Sequence, residues 1–287
     1  MSRLLLRGPA MPHRRSEMLV GLVVVLACAT GIGAHAAPSS YGRVALVAED
    51  DAFEADRVVL IGVLFDLQPG WHIYWVNPGD AGRPPEIHWE LPAGFRAGDI
   101  RWPTPLRLTT GRIVHYGYEG LVLLRLPLQV PADYERGTPV TLAANVKYVV
   151  CREVCASAQA SVTLSMPSVC SAPAHLALRR ELFRRAAERS PRPMPPGWKV
   201  QVVESRHQIV LSMQTGSPET RGTFFPLEAN QIDNAAAQVV TPTGRDGLRM
   251  TLKKSYRLVK PVSVLKGVMV LGPDRAFEIV ALVSARR

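Results

Sequence analysis

The feature that most restricts the fold of this chain is a long succession of short apolar runs, each ended by turn-forming residues. Between Gly42 and Met166 they read RVALVAE, RVVLIGVLFDL, WHIYWV, EIHWEL, LVLLRLPLQV, VTLAANVKYVV and ASVTLSM, with QPG, NPGDAG and LPAGF among the connections. Val, Ile and aromatic side chains suit a pleated, half-buried surface, and Gly, Pro and Asn supply the turns. No helical periodicity intervenes to carry a crossover between parallel strands, so this half is expected to be an antiparallel β-sandwich. With 287 residues, 47% of them hydrophobic, the chain can fill one large or two ordinary cores without covalent staples.

The pattern changes twice more. Leu178, Leu182 and Ala186 recur at helical spacing, Glu181 stands four residues before Arg185, and Pro191, Pro193, Pro195 and Pro196 stop the helix. Residues 171–197 are therefore expected to be a short helical, Pro-rich linker. Residues 198–287 return to β patterning, with Trp198, Val200 and Val202 on one face of WKVQVVE. This stretch has no cysteine and a single histidine, His207, and is expected to be a second β-sandwich domain that packs or docks. At the other end, Arg14 and Arg15 precede the apolar run MLVGLVVVLACATGIGA, and Ala34 and Ala36 are small enough for cleavage before Ala37. Residues 1–36 thus read as the cleaved signal peptide of an exported protein, and residues 37–170 as its first domain. The formal charge of +10 falls to +7 without the four Arg and one Glu of the leader. Much of the excess lies in LRRELFRRAAERSPRP, which reads as a solvated linker helix, and no nucleic-acid partner is expected.

Loss of the leader removes Cys28 and leaves Cys151, Cys155 and Cys170. In a continuous strand, residues four apart lie about 13 Å apart, whereas a disulfide tolerates Cα separations of roughly 4.4–6.8 Å. A Cys151–Cys155 bond therefore needs a reversal at Arg152, Glu153 and Val154, which would set the cysteines about 4.5–5.5 Å apart across a hairpin. None of those three residues is Gly, Asn or Asp, which predicts some strain in the oxidised ring, and strained accessible disulfides are the labile ones. So small a ring stabilises by only about 2 kcal/mol, against about 3 for a fifteen-residue loop, which makes it a poor staple. Three uses stay open on these grounds: a redox couple, a structural bond, or a pair of thiolate ligands. The same cysteine spacing occurs in the dinuclear copper centre of cytochrome oxidase subunit II, where a His follows the second cysteine by four residues. Here that position is Gln159, so a soft metal would have to recruit Cys170, His115 or His72 from elsewhere. Zinc lacks a second cysteine pair.

Taken together, GWHIYWVNPGDAGRPPEIHWELPAGFRAGDIRWPTPLRL, HYGYEGLVLL and YVVCREVC resemble the periplasmic amino-terminal region of the DsbD thiol–disulfide reductases, especially the ScsB-like branch. The matching positions include Trp75, Asn77, Pro78, Gly79, Asp80, Gly82, Pro84, Pro85, Trp89, Trp102, Tyr116, Gly117, Gly120 and both cysteines. The resemblance covers about residues 41–166. FFPLEANQIDNAAAQ and VLKGVMVLG resemble, less sharply, the second β-domain of that branch. It implies an all-β protein of two immunoglobulin-like antiparallel sandwiches, located in the periplasm, whose Cys151 and Cys155 alternate between dithiol and disulfide. Carried over, one thiolate of the pair attacks a partner's disulfide and the other resolves the intermediate, with Cys155 the expected attacker. It also implies a cap over the cysteines formed by the loop VHYGYEG, with His115 and Tyr116 at its shielding positions and Tyr118 beside them, while His72 and Tyr74 flank the pair. Such a lid would protect the thiols from casual oxidation, and a protonated His115 would favour a nearby thiolate, with Glu119 or Glu153 acting oppositely. Trp71, Trp75, Trp89 and Trp102 read as core and turn residues.

Full-length members of the family continue into a membrane electron conduit and a thioredoxin-like domain, neither of which is found in this sequence. The expectation is a separate membrane electron-transfer protein as reductant and periplasmic thioredoxin-like or disulfide isomerase proteins as recipients, with no cofactor. The alternatives are a copper-binding or copper-tolerance factor using Cys151 and Cys155 as ligands, and a docking protein with a structural disulfide. Cys170 stands outside the pair as a spare thiol, a dimer link or another partner for Cys151.

Overall fold

The computed structural model describes residues 34–35, 37–167 and 173–285; Cys170 and nearly all of the expected leader lie outside the described residues. The first half is a sandwich of two sheets. One is ordered β1 (Ala34–His35), β12 (Cys155–Met166), β11 (Val140–Cys151), β5 (His72–Gly79), β9 (Ile113–Glu119), β8 (Leu106–Thr110), with β6 (Glu86–Glu90) also on β11. The other is ordered β2 (Ala37–Ser39), β3 (Gly42–Ala48), β4 (Val58–Leu67), β10 (Leu121–Gln129), β7 (Arg96–Ala97). The described pairings within both sheets are antiparallel.

Alternation in sequence becomes alternation in burial. In β11, Leu142, Ala144, Val146, Tyr148 and Val150 point into the core while Thr141 and Lys147 point out, and β12 buries Ala160, Val162, Leu164 and Met166. They meet Val44, Leu46, Phe65 and Trp75, with Phe65 and Tyr148 edge to face at 5.3 Å. Each of the Val, Leu, Met and Phe side chains among them stabilises by roughly 1.5–3 kcal/mol on leaving water.

One departure from strict pairing and one doubly covered strand position everything that follows. In β5 the register jumps between Tyr74, opposite Gly117, and Gly79, opposite His115, so Trp75 to Pro78 bulge out of the ladder. Pro78 fits a bulge because it has no N–H to donate. In β9 both faces are covered, and Val114 to Tyr118 are all buried. The segment expected from the resemblance to be a capping loop is therefore a strand in mid-sheet.

Helix α1 (Pro173–Glu188) follows. Glu181 pairs with Arg185 and Arg184 on its exposed side, while Phe183 and Ala186 press on Val47, Leu64 and Leu123 of the first sandwich. After it, a third sheet is ordered β15 (Thr223–Pro226), β18 (Val264–Gly272), β19 (Arg275–Ala285), β13 (Lys199–Glu204), β14 (Gln208–Gln214), β17 (Gly247–Lys253), β16 (Val239–Pro242). Its inward residues, among them Leu211, Met250, Leu265, Met269 and Ile279, form their own cluster. The pairing of β13 with β19 is parallel, a departure from the purely antiparallel expectation. It arises because β19 returns from the hairpin with β18 to lie beside the first strand after the linker. Among the described residues no helix is long and apolar enough to cross a membrane.

The third sheet is docked on the first sandwich. Phe225 of β15 enters between Trp75 and Tyr116, at 6.3 and 5.2 Å between ring centroids. The bulge aims Asn77 outward, where its Nδ2 donates to Pro226 O at 2.7 Å. Asn234 donates to Asp80 Oδ1 at 2.8 Å, accepts from the Tyr116 hydroxyl at 3.0 Å, and offers its backbone carbonyl to Arg107 at 2.9 Å. These polar groups satisfy one another inside a largely buried contact.

Candidate functional site

Strands β11 and β12 pair residue by residue from Val140 with Met166 down to Cys151 with Cys155, and the three residues between the cysteines close the hairpin. The cysteines are joined in a disulfide, with Cα atoms 4.1 Å apart. The reversal is made without a left-handed residue: among the described residues the non-glycine positions of positive φ are Asp56, Asn230 and Asp274, and none lies in the turn. The turn therefore closes without calling on the left-handed conformation that Gly, Asn or Asp would ease.

The two sulfurs have different surroundings. Cys151 is 2% exposed, whereas Cys155 is exposed at the tip. Beside it Val154 is 74% exposed, and Arg152 stacks over Trp71 at 5.2 Å, which fixes the base of the turn. Tyr74 donates its hydroxyl proton to Cys151 Sγ at 2.8 Å and lies 3.7 Å from Cys155 Sγ. Burial raises the Tyr74 pKa, so the phenol stays protonated and remains a donor.

His72 pairs directly with Cys151 across the β5–β11 ladder, so both side chains leave the same face of the sheet. Tyr74, two residues on, and His115 of β9 share that face. The three rings form a closed cluster: His72 to Tyr74 5.3 Å, His72 to His115 5.3 Å, and Tyr74 to His115 5.5 Å. Burial, with His115 nearby, lowers the His72 pKa to about 4, so this imidazole is neutral at physiological pH.

Tyr116 and Tyr118 leave β9 on the opposite face. Tyr116 packs on Trp75 and Phe225, and Tyr118 donates to Pro103 O at 2.7 Å. Burial raises both phenol pKa values. Neither stands over the cysteines, because alternate residues of a strand point to opposite faces, so the expected His115–Tyr116 lid is replaced by His72, Tyr74 and His115.

What covers this trio is the segment after the β5 bulge. Ala81 O lies 3.3 Å from His115 Nδ1. A Cβ on Gly82 would come within 2.2 Å of the Tyr74 ring, and its φ is +107°, so only glycine lets the backbone rest on that ring. Asp80 anchors the segment, accepting from Val114 N at 2.8 Å and from Asn234. In sequence NPGDAG reads as a turn, which conceals this role; the visible signal is Gly82 close after a strand carrying Tyr74. Trp75 lies in the core, while Trp71, Trp89 and Trp102 pack partly buried against it. Among the described residues no group of three or more His, Cys, Asp or Glu side chains stands together as a metal site.

The site is thus a disulfide at the hairpin tip of an immunoglobulin-like sandwich, with one sulfur exposed, the kind of bond open to thiol–disulfide exchange. Residues 43–167 match the family described as thiol:disulfide interchange protein DsbD, N-terminal, and through them the chain belongs to that family. The crystal structure of the N-terminal periplasmic domain of ScsB from Proteus mirabilis is similar in fold, with 18% identity and a TM-score of 0.65, over 87% of this chain and 97% of that one. The likeness thus spans the linker and third sheet as well. The crystal structure of the periplasmic chaperone SfaE aligns at 9% identity over 84% of this chain and 100% of that one, with a TM-score of only 0.21. A search of curated proteins gave no match.

Proposed function

We propose that this protein is a periplasmic thiol–disulfide interchange protein that takes electron pairs from a membrane electron-transfer partner and delivers them to thioredoxin-like or disulfide isomerase proteins. The observation that carries this reading is the asymmetry of the pair, with Cys155 exposed and Cys151 buried under Tyr74. In the reduced protein the Cys155 thiolate attacks a partner's disulfide. A Cys155–partner bond forms, the partner's own S–S bond breaks, and one partner sulfur leaves as thiolate. Cys151 then attacks Cys155 Sγ, closing the intramolecular disulfide and releasing the second partner thiolate. Two electrons pass to the partner, and reduction by the membrane protein reverses the sequence. His72, Tyr74 and His115 limit approach to the tip side, where a protein disulfide can reach Cys155 while Cys151 stays covered.

The test is mixed-disulfide capture from periplasmic extract. With Cys151→Ser, which keeps the exposed thiol, covalent adducts with dithiol proteins are expected that dissolve in dithiothreitol; with Cys155→Ser, far fewer. Equal or absent capture by both variants would overturn the proposal, and so would a wild-type disulfide that resists reduced thioredoxin.

A further inference from the structure

His72 carries the unexplained group of the site. It is 4% exposed, lies directly across the ladder from Cys151, and its Nε2 has no hydrogen-bond partner among the described residues. An unpaired buried polar nitrogen costs about 1–3 kcal/mol, which an aliphatic residue at this position would avoid. The buried sulfur has the complementary need. Before Cys151 can resolve a mixed disulfide it must lose its thiol proton, and 2% exposure leaves water little access to take it.

We infer that His72 is the base that receives the Cys151 proton during resolution and the acid through which Cys151 regains a proton when the disulfide is reduced. This rests on the interchange reading above. In the resolving step the S–H bond of Cys151 breaks and its proton passes to His72. The sulfur's electron pair forms the bond to Cys155 Sγ, and the Cys155–partner bond breaks with its pair leaving on the partner sulfur. With the disulfide closed the imidazolium gives this proton up to solvent, because the oxidised protein holds His72 neutral. In the reverse direction a proton taken up from solvent or from the attacking partner thiol reaches the departing Cys151 thiolate through His72.

The neighbouring groups leave His72 as the one suited to the task. Tyr74 already donates to Cys151 Sγ and keeps its proton. His115 is turned toward Ala81 O. Glu119, opposite His72 on β9, is exposed, as are Arg152 and Glu153 in the turn. Burial leaves the imidazole unprotonated at neutral pH but also a weak base while the disulfide is closed, so its position beside Cys151 has to supply what its pKa does not. The thiolate formed beside it supplies the negative charge that stabilises the imidazolium for the duration of the step.

Dithiobis(nitrobenzoate) separates the steps on the full chain. Attack by the reduced protein releases one nitrothiobenzoate as Cys155 forms the mixed disulfide, and resolution by Cys151 releases a second. For His72→Gln the first burst is expected to keep its rate, while the second slows by about 100-fold near neutral pH, within the range of general-base effects. The second burst of the variant should then rise about tenfold per pH unit, following thiolate formation, whereas in the wild type it should stay nearly flat between about pH 6 and 8. A second burst of wild-type rate and slope in His72→Gln overturns the assignment, as does equal slowing of both bursts. Should the variant not fold, the wild-type profile decides: a tenfold rise per unit overturns the role of His72. If the wild type shows no second burst at all, the interchange reading itself fails.

Discussion

At the scale of single residues, the site separates a sulfur that can be reached from one that is held. Cys155 and Val154 protrude, while Cys151 accepts a hydrogen bond from Tyr74 and is walled by His72. Burial of a neutral imidazole has a thermodynamic signature. The folded-state pKa of His72, about 4, lies below its ordinary value of 6.5. Between those values the unfolded chain binds the proton that the folded one refuses, so stability is complete above about pH 6.5 and declines as pH falls toward 4. In the oxidised protein, where the cysteines do not titrate, urea unfolding should give a midpoint at about pH 4.5 lower than at pH 7.5 by the equivalent of about 2–3 kcal/mol. His72→Gln should remove most of that difference, and an unchanged pH dependence in the variant would show that other groups cause it.

At the scale of elements, the controlling feature is the β5 bulge and the segment it launches. The bulge sends Asn77 to the third sheet and lets Asp80, Ala81 and Gly82 fold back over His115 and Tyr74. The segment's distance from Tyr74 is set by the missing Cβ of Gly82. Gly82→Ala should push the Tyr74 ring away, cost about 1–3 kcal/mol, and uncover Cys151. Alkylation of the reduced variant by iodoacetamide is expected to label Cys151 faster than in the wild type while Cys155 labelling changes little, as resolved by peptide mass spectrometry. Burial of β9 on both faces hides the strand in the sequence. HYGYEG resembles a family loop, but its strand, buried on both faces, lacks the alternation by which a half-exposed strand is recognised.

At the scale of the whole molecule, the third sheet supports the back of the site. Phe225 fills the gap between Trp75 and Tyr116, on the opposite face of the strands that carry His72, Tyr74 and His115. Phe225→Ala should cost about 3–5 kcal/mol and weaken the coupling of the two halves, so that calorimetry shows two separated transitions where the wild type shows one; a single transition in the variant would place the coupling elsewhere. Much of this architecture was legible in sequence, because local chemistry determines it. Period-two patterning set most of the strands, helical spacing and prolines set α1, and the spacing of Cys151 and Cys155 demanded a hairpin if they were to bond. Two outcomes depended on partners remote in sequence. Tyr116 and Tyr118 went to the core face and His72, Tyr74 and His115 to the disulfide because strand pairing and the β5 bulge assign faces, and only tertiary contact reveals which face is covered. Asn77 and Asp80 became anchors because Pro226 and Asn234, some 150 residues away, supply their hydrogen-bond partners, and no local pattern in a chain encodes a contact that exists only once both surfaces are built.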